Sequence, residues 1–293
     1  MSRILLFGKF GQLGWDLHRS LAPLGEIIAL DYPEIDLIHY NSLDEVIQKE
    51  KPDLIVNATA YTAVDQAENE AEIAMAINAH APKRLAELAQ ANKAALIHYS
   101  TDYVFDGTKG SPYLESDSPR PLGVYGESKL AGELGIEQVS GAYLIFRTSW
   151  VYSLRRDSFV TKVLNWARTQ TSLQIVADQV SNPTWCRMLA EATTQILAQA
   201  GKHPHGWINE RRGLYHLAGS GFASRFEWAK KILEYDPLRD EQIVEDIQPA
   251  LTGDFPTPAQ RPLYSALNCD LFTETFGLRL PEWEVALELA MGD

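Results

Sequence analysis

Tyr125 and Lys129 stand four residues apart in the segment Tyr125-Gly-Glu-Ser-Lys129. On a helix that spacing places a phenol and an ammonium one turn apart on the same face. A free tyrosine has a pKa of about 10, too high for ready proton exchange near neutrality. A neighbouring ammonium stabilises the phenolate, and a drop of roughly three units takes about 4 kcal/mol of differential interaction. The tyrosine then becomes an efficient general acid for a carbonyl under reduction. Because the spacing alone recurs on exposed helix faces, its surroundings have to decide. Upstream, the apolar run 94–99 leads into Ser100-Thr101-Asp102-Tyr103. A hydroxyl at the carboxyl end of a central strand lies where open α/β sheets bind their ligands. There Thr101 could bond a substrate oxygen and turn it toward Tyr125. The plainer reading of Ser100 and Thr101 is a turn-capping pair.

A second group of residues suits an anionic cofactor. Gly8-Lys-Phe-Gly11-Gln-Leu-Gly14 follows a short apolar run and opens a helical pattern. Such a turn needs positive φ, a backbone that a phosphate can approach, and a helix packed closely on a strand. The helix start then offers free N–H groups and the positive end of its dipole to a pyrophosphate. Asp31, at the end of the second strand-like run, stands where an acidic residue bonds the adenosine ribose, which favours NAD over NADP. Asp36 competes for that role, so the choice between NADH and NADPH stays open.

The elements that must hold these groups alternate through the first half of the chain. Strand-like runs lie at 3–7, 26–30, 53–57, 94–99 and 143–147. Helical spacing lies between them: Leu13, Leu17, Leu21 and Leu24 on one face, then Leu43, Val46 and Ile47, then an alanine-rich stretch over 65–92 interrupted at Pro82, then 127–139. Alternation of this kind implies parallel strands joined by right-handed crossovers. The expected fold is α/β, a Rossmann-type doubly wound parallel sheet with a smaller C-terminal α/β substrate-binding lobe. Residues 1–150 form the dinucleotide domain, its sheet completed from within 151–220, and 151–293 mainly shape the substrate cleft. In the second half, helices are expected near 158–169, 185–200, 224–235 and 282–291, and strands at 173–176, 214–217 and 243–247.

Composition narrows the function classes. The formal charge of −13 argues against a broad electrostatic grip on nucleic acid or an anionic membrane. Two cysteines, Cys186 and Cys269, exclude a disulfide scaffold and a four-thiolate metal site. The longest apolar runs are strand-length, and Arg3 precedes only four apolar residues before a glycine, so neither a membrane span nor a signal peptide is expected. The default compartment is cytoplasmic.

Together the Gly8/Gly11/Gly14 turn, the run Ser100-Thr-Asp-Tyr-Val-Phe-Asp-Gly107 and Tyr125-Gly-x-x-Lys129 resemble the extended short-chain dehydrogenase/reductases. Within them the chain resembles the dTDP-4-dehydrorhamnose reductases. Further matching segments are Phe7–Trp15, Asn57–Glu68, Arg147–Tyr152, Asp178–Thr184 and Arg261–Asn268, so the likeness covers nearly the whole chain. It implies reduction of the C4 ketone of a dTDP-sugar by NADPH or NADH. Carried over by position, Tyr125 is the proton donor, Lys129 holds the nicotinamide ribose, and Thr101 binds the sugar oxygen with Asp102 beside it. Trp150 packs on sugar or base. Gly11, Gln12 and Leu13 cradle the pyrophosphate. Asp31, Asp36 and Leu37 line the adenosine end, and Ala60, Tyr61, Thr62 and Tyr99 line the path to the nicotinamide. Tyr61 stands where relatives often carry histidine. Asp16 stands where some use a glutamate in a magnesium-linked dimer contact. With Glu191 the one carboxylate found for it near 185–191, magnesium is doubtful, and a monomer or a homodimer is expected.

Arg261 is the guanidinium expected on the sugar-nucleotide diphosphate, with an interlobe ion pair as its structural alternative. His203 and His205 read as a surface loop, and His216 as core. Trp166, Trp228 and Trp283 read as core, and the acidic run Glu68–Glu72 as a helix start. Three other functions fit the same scaffold: a reductase of another deoxysugar, an epimerase or dehydratase, and a non-catalytic NADP-binding subunit like the regulatory subunit of methionine adenosyltransferase. The joint presence of Thr101, Tyr125 and Lys129 speaks against the last.

Overall fold

The computed structural model describes residues 2–201 and 203–292. Five strands of the first half, β1 (Ser2–Phe7), β2 (Gly25–Leu30), β3 (Leu54–Asn57), β4 (Ala95–Thr101) and β5 (Tyr143–Thr148), pair in parallel. The strand Gly213–His216 pairs in parallel with β5 and completes a six-stranded sheet. Its order from that edge is Gly213–His216, β5, β4, β3, β1, β2, so the winding reverses between β1 and β3. A crevice forms at such a reversal, outside the carboxyl ends of the strands.

Strand alternation explains why the sheet is covered on both faces. Successive side chains point to opposite sides. Ile4, Leu6, Val56 and Ile97 pack with Leu13 and Leu17 of α1 (Gln12–Ser20), with its C-cap Leu21 and with the helix Cys186–Ala200. Leu5, Phe7, Ile55, Leu96 and Ile145 pack on the other side, against α2 (Tyr40–Glu50) and the helices described next. Runs apolar at every position are what such a two-sided burial requires.

The alanine-rich stretch 65–92 is not one helix. It resolves into α3 (Val64–Ala67), α4 (Ala71–Met75), a π-turn Ala76–His80 and α5 (Ala81–Ala91), with Pro82 in the first turn of α5. Backbone stays helical from α4 through the π-turn into α5, so Pro82 removes an N–H from a continuing ladder, and the widened turn just before it is where the helix accommodates the ring. The last helix of this half, α6 (Val124–Val139), carries Tyr125 and Lys129 and packs against α5. β4 runs on to Thr101, so Ser100 and Thr101 lie within the strand. The expected strand 243–247 lies at Asp246–Ala250, pairing with Ser172–Val176. Beyond the sheet, the helices Phe159–Thr169 and Arg225–Glu234 pack together around the buried Trp228, which touches Trp150, Tyr152 and Phe159. Two helices not anticipated, Pro204–Glu210 and Asp270–Phe276, also pack on the sheet side of this half. Among the described residues no helix is long and apolar enough to cross a membrane.

Candidate active site

The glycine turn joins β1 to α1 at the winding reversal. Gly8 has φ +92°, a value side chains resist, and its amide bonds the Leu30 carbonyl at 2.8 Å. At Gly14 a Cβ would stand 1.9 Å from the Gly8 carbonyl oxygen, so only glycine lets α1 approach the turn this closely. Gly11 is the extended N-cap of α1, and no side chain caps that helix. The first amides, those of Gln12 and Leu13, are left for a ligand. The oxygen Oε1 of Gln12 is buried with no hydrogen-bond partner. An uncapped helix start and a close-packed glycine turn fit a dinucleotide pyrophosphate.

Asp31 holds the turn from the β2 side. Its carboxylate accepts the Phe10 and Tyr32 amides, each at 2.8 Å. Glu34 sits beside it, ion-paired with Lys9 at 2.5 Å. Asp36 accepts the Ile38 amide at 3.0 Å, and Leu37 is buried. The region after β2 is therefore rich in carboxylates, and Lys9 beside it is already paired. Ala60, Tyr61 and Thr62 form the loop after β3. Tyr61 exchanges backbone hydrogen bonds with Asn78 at 2.8 and 3.1 Å, and Asn78 also donates to Ser128 on α6. The Tyr61 hydroxyl donates to Glu70 at 2.5 Å. This loop and the helix bearing Tyr125 are thus one frame.

The start of α6 is capped from afar. Glu68 accepts the Val124 amide at 2.9 Å. Glu68 and Glu70 therefore also work as partners of α6 and Tyr61, in addition to the helix start read at 68–72, where Glu70 is the N-cap of α4 and Glu72 lies in its first turn. One face of α6 carries Tyr125, Lys129 and Glu133, successive turns aimed at β4 and β5. Lys129 and Glu133 are each 1% exposed, and Glu133 takes a two-pronged ion pair from Arg147 at 2.9 and 2.6 Å. Lys129 donates to the Tyr99 carbonyl at 2.6 Å and stands 3.4 Å from His98. Burial lowers its pKa to about 8, with Glu133 pulling the other way. His98 is fully buried, bonds Asn57 at 3.1 Å, and its pKa is driven well below the usual value by burial and by Lys129.

The expectation that Lys129 depresses the Tyr125 pKa is not met in this arrangement. Burial dominates and raises the phenol's pKa, offset in part by a hydrogen bond with Thr101. The ammonium is directed at a backbone carbonyl instead. Tyr125 consequently keeps its proton at neutral pH, the form a proton donor needs. Its ring meets Tyr103 edge-on at 5.7 Å. Tyr99 is itself buried, its hydroxyl 2.7 Å from Thr193.

A cleft of about 600 Å³ opens in the second half of the chain, lined by Phe159, Trp166, Gln179, Arg225, Thr257 and Arg261 among others. Trp150 stacks on Trp228 with ring centres 5.5 Å apart, and the Arg225 guanidinium lies 3.7 Å from the Trp150 ring. Trp150 has φ +40°, a strained value for a tryptophan that its packing must hold. Burial lowers the Arg225 pKa to about 10. Arg261 pairs with Asp65 at 2.7 Å, so it bridges the two halves of the chain, the alternative kept open for it. Asp102 is 2% exposed and its carboxylate is filled by hydroxyls, so it does not open to the cleft beside Thr101. His216 is core, bonding the carbonyls of Tyr113 and Asn268. Trp228 and Trp283 are core as well, whereas Trp166 lines the cleft. Arg225, Glu68, Glu133 and Asn78 were missed from sequence. Arg225 opens a helix behind the capping box Ser224-x-x-Glu227, a signal for a helix start that says nothing of a site.

Asp16 is half buried and accepts the Cys186 thiol at 2.8 Å, and Glu191 pairs with Arg187 at 2.9 Å. Among the described residues no group of three histidine, cysteine or carboxylate side chains is placed to hold a metal.

The chain is similar over nearly its whole length to known proteins. The family model described as the RmlD substrate binding domain matches residues 1–293. A dTDP-4-dehydrorhamnose reductase of Burkholderia thailandensis is 40% identical over 294 residues, 99% of this chain and 98% of its own length. Among solved structures, a dTDP-4-dehydrorhamnose reductase from Clostridium acetobutylicum superposes with a TM-score of 0.90 at 31% identity, covering 99% of this chain and 98% of that one. One from Bacillus anthracis, in complex with NADP, has a TM-score of 0.87 at 33% identity over 98% of both chains. The chain belongs to the RmlD family, alongside the dTDP-4-dehydrorhamnose reductases.

Proposed function

We propose that this chain reduces the C4 ketone of dTDP-4-dehydro-β-L-rhamnose to dTDP-L-rhamnose with NADPH or NADH, a step of deoxysugar and cell-surface polysaccharide synthesis. One observation carries the reading: Thr101, Tyr125 and Lys129 meet at the carboxyl end of β4, beside an uncapped glycine turn. The bound nicotinamide supplies a hydride to the sugar C4. Tyr125 gives its proton to the carbonyl oxygen as negative charge develops there, and Thr101, hydrogen-bonded to the phenol, holds Tyr125 toward the bound sugar oxygen. Lys129, charged below about pH 8 and backed by Glu133, holds positive charge one turn away. Gln12 and Leu13 amides hold the pyrophosphate, while Asp31 and Asp36 take the adenosine end. In the cleft, Trp150 and Arg225 hold the sugar nucleotide, and Arg261 shares itself between Asp65 and the diphosphate. Residues 1–150 thus carry cofactor and chemistry, and the rest mainly shape the cleft.

The test is turnover with dTDP-4-dehydrorhamnose, following the absorbance of the reduced nicotinamide for each cofactor in turn. One cofactor should be oxidised per ketosugar consumed. Conversion of the sugar with no net cofactor consumption would assign an epimerase instead.

A further inference from the structure

The segments 178–184 and 261–268 stand out in the sequence, yet most of their residues do not face the cleft. They lie against each other behind β4. The Ser265 amide bonds the Val180 carbonyl at 2.9 Å, and Asn182 accepts the Leu267 amide at 2.7 Å while donating to the Gly219 and Gly221 carbonyls. Their two serines converge on one carboxylate. Ser181 donates to Asp102 Oδ2 at 3.0 Å and Ser265 to the same oxygen at 2.5 Å. Ser149 is hydrogen-bonded to Ser181 in turn. The other oxygen, Oδ1, takes the Thr101 hydroxyl at 3.1 Å. Among the described residues no cation is hydrogen-bonded to this carboxylate.

A buried carboxylate without a cation is costly unless several donors reach it, and hydrogen bonds to a charged acceptor are the stronger kind. Three hydroxyls, one from the preceding residue and two from distant segments, meet that requirement. The arrangement also constrains Thr101. Its proton is directed to Asp102, and one of its lone pairs takes the Tyr103 amide at 3.2 Å. What remains faces the Tyr125 phenol.

We propose that Asp102, gripped by Ser181 and Ser265, is a positioning residue that fixes the side chain and hydroxyl direction of Thr101 and reaches the reaction only through it. The inference rests on the reductase reading above. Segments 178–184 and 261–268 then share one role, since together they set the geometry of a hydroxyl that neither of them contains. A displaced reacting group can lose up to about a hundredfold in rate with binding intact, which sets the scale.

A double-mutant cycle tests this by oxidation of NADPH with dTDP-4-dehydrorhamnose. Ser265→Ala should lower kcat about tenfold or more, leaving the KM for the ketosugar and the NADPH affinity within about twofold. In a Thr101→Val background the same change should cost less than about twofold, because its target is gone. Ser265→Thr, which keeps the hydroxyl, should restore most of kcat. Asp102→Asn, of the same shape, runs the same cycle should the alanine variant not fold. An equal loss in both backgrounds, or a raised KM with kcat unchanged, overturns the proposal and leaves the reductase reading standing. Failure of the unsubstituted protein to oxidise NADPH overturns both.

Discussion

The two ends of the proposed site are built by opposite means. At the cofactor end a single stretch, 8–14, supplies a turn, a helix start and free amides; side chains matter there chiefly by being absent. At the proposed substrate end the cleft draws on residues from 159–179, 225 and 252–261, and it is built of side chains such as Arg225 and Arg261, with Trp150 stacked against Arg225. Backbone sites of the first kind are fixed by where glycines fall. Clefts of the second kind depend on how distant segments are brought together. The net charge of −13 sharpens the contrast, because both proposed ligands are anionic and the field of the whole molecule opposes them. Binding then rests on local groups, the amides at one end and guanidinium groups at the other.

Substitutions should separate the two ends. The largest effect belongs to Gly14→Ala. A Cβ 1.9 Å from the Gly8 oxygen forces α1 off the turn, so NADPH binding should be lost and stability fall by about 1–3 kcal/mol. Calorimetric titration and thermal melts would show it, and retention of wild-type affinity would break this picture of the turn. At the other end, Arg225→Met should raise the KM for the ketosugar by about tenfold to a hundredfold, the range expected for losing a charged hydrogen-bonding partner. NADPH affinity should not move. An equal loss of both affinities would erase the comparison.

The smallest effect is in pH. Burial lowers the Lys129 pKa to about 8, so the ammonium is present below that pH and lost above it. The profile of kcat/KM should therefore bend downward above about pH 8, falling tenfold per unit at the limit for a single group. Lys129→Arg should remove that bend, since a guanidinium stays charged. A bend that persists in the arginine variant would assign it to another group.

Legibility followed the same division. The doubly wound sheet could be read because its strands are apolar at every position and its helices repeat leucines on one face. The glycine turn and the Tyr125–Lys129 pair could be read because their chemistry lies within one helical turn. Three things escaped. The partners that place α6, Glu68 and Asn78, act across 56 and 50 residues of chain, and no local pattern announces them. Arg225 looks like an ordinary first residue of a capped helix. The direction of the Lys129 side chain, toward the Tyr99 carbonyl, could not follow from its spacing to Tyr125. Burial reversed the expected sign of the phenol's shift for the same reason: spacing on a helix is local, desolvation is not.

At the heart of the proposed reaction, Tyr125 supplies the proton while the glycine turn holds the cofactor independently of it. Single-turnover oxidation of NADPH by dTDP-4-dehydrorhamnose, compared between the unsubstituted protein and Tyr125→Phe with cofactor affinity measured on the same samples, tests it directly. The expected result is a rate lower by about a hundredfold to ten-thousandfold with NADPH affinity within about twofold. An unchanged rate in Tyr125→Phe would contradict it.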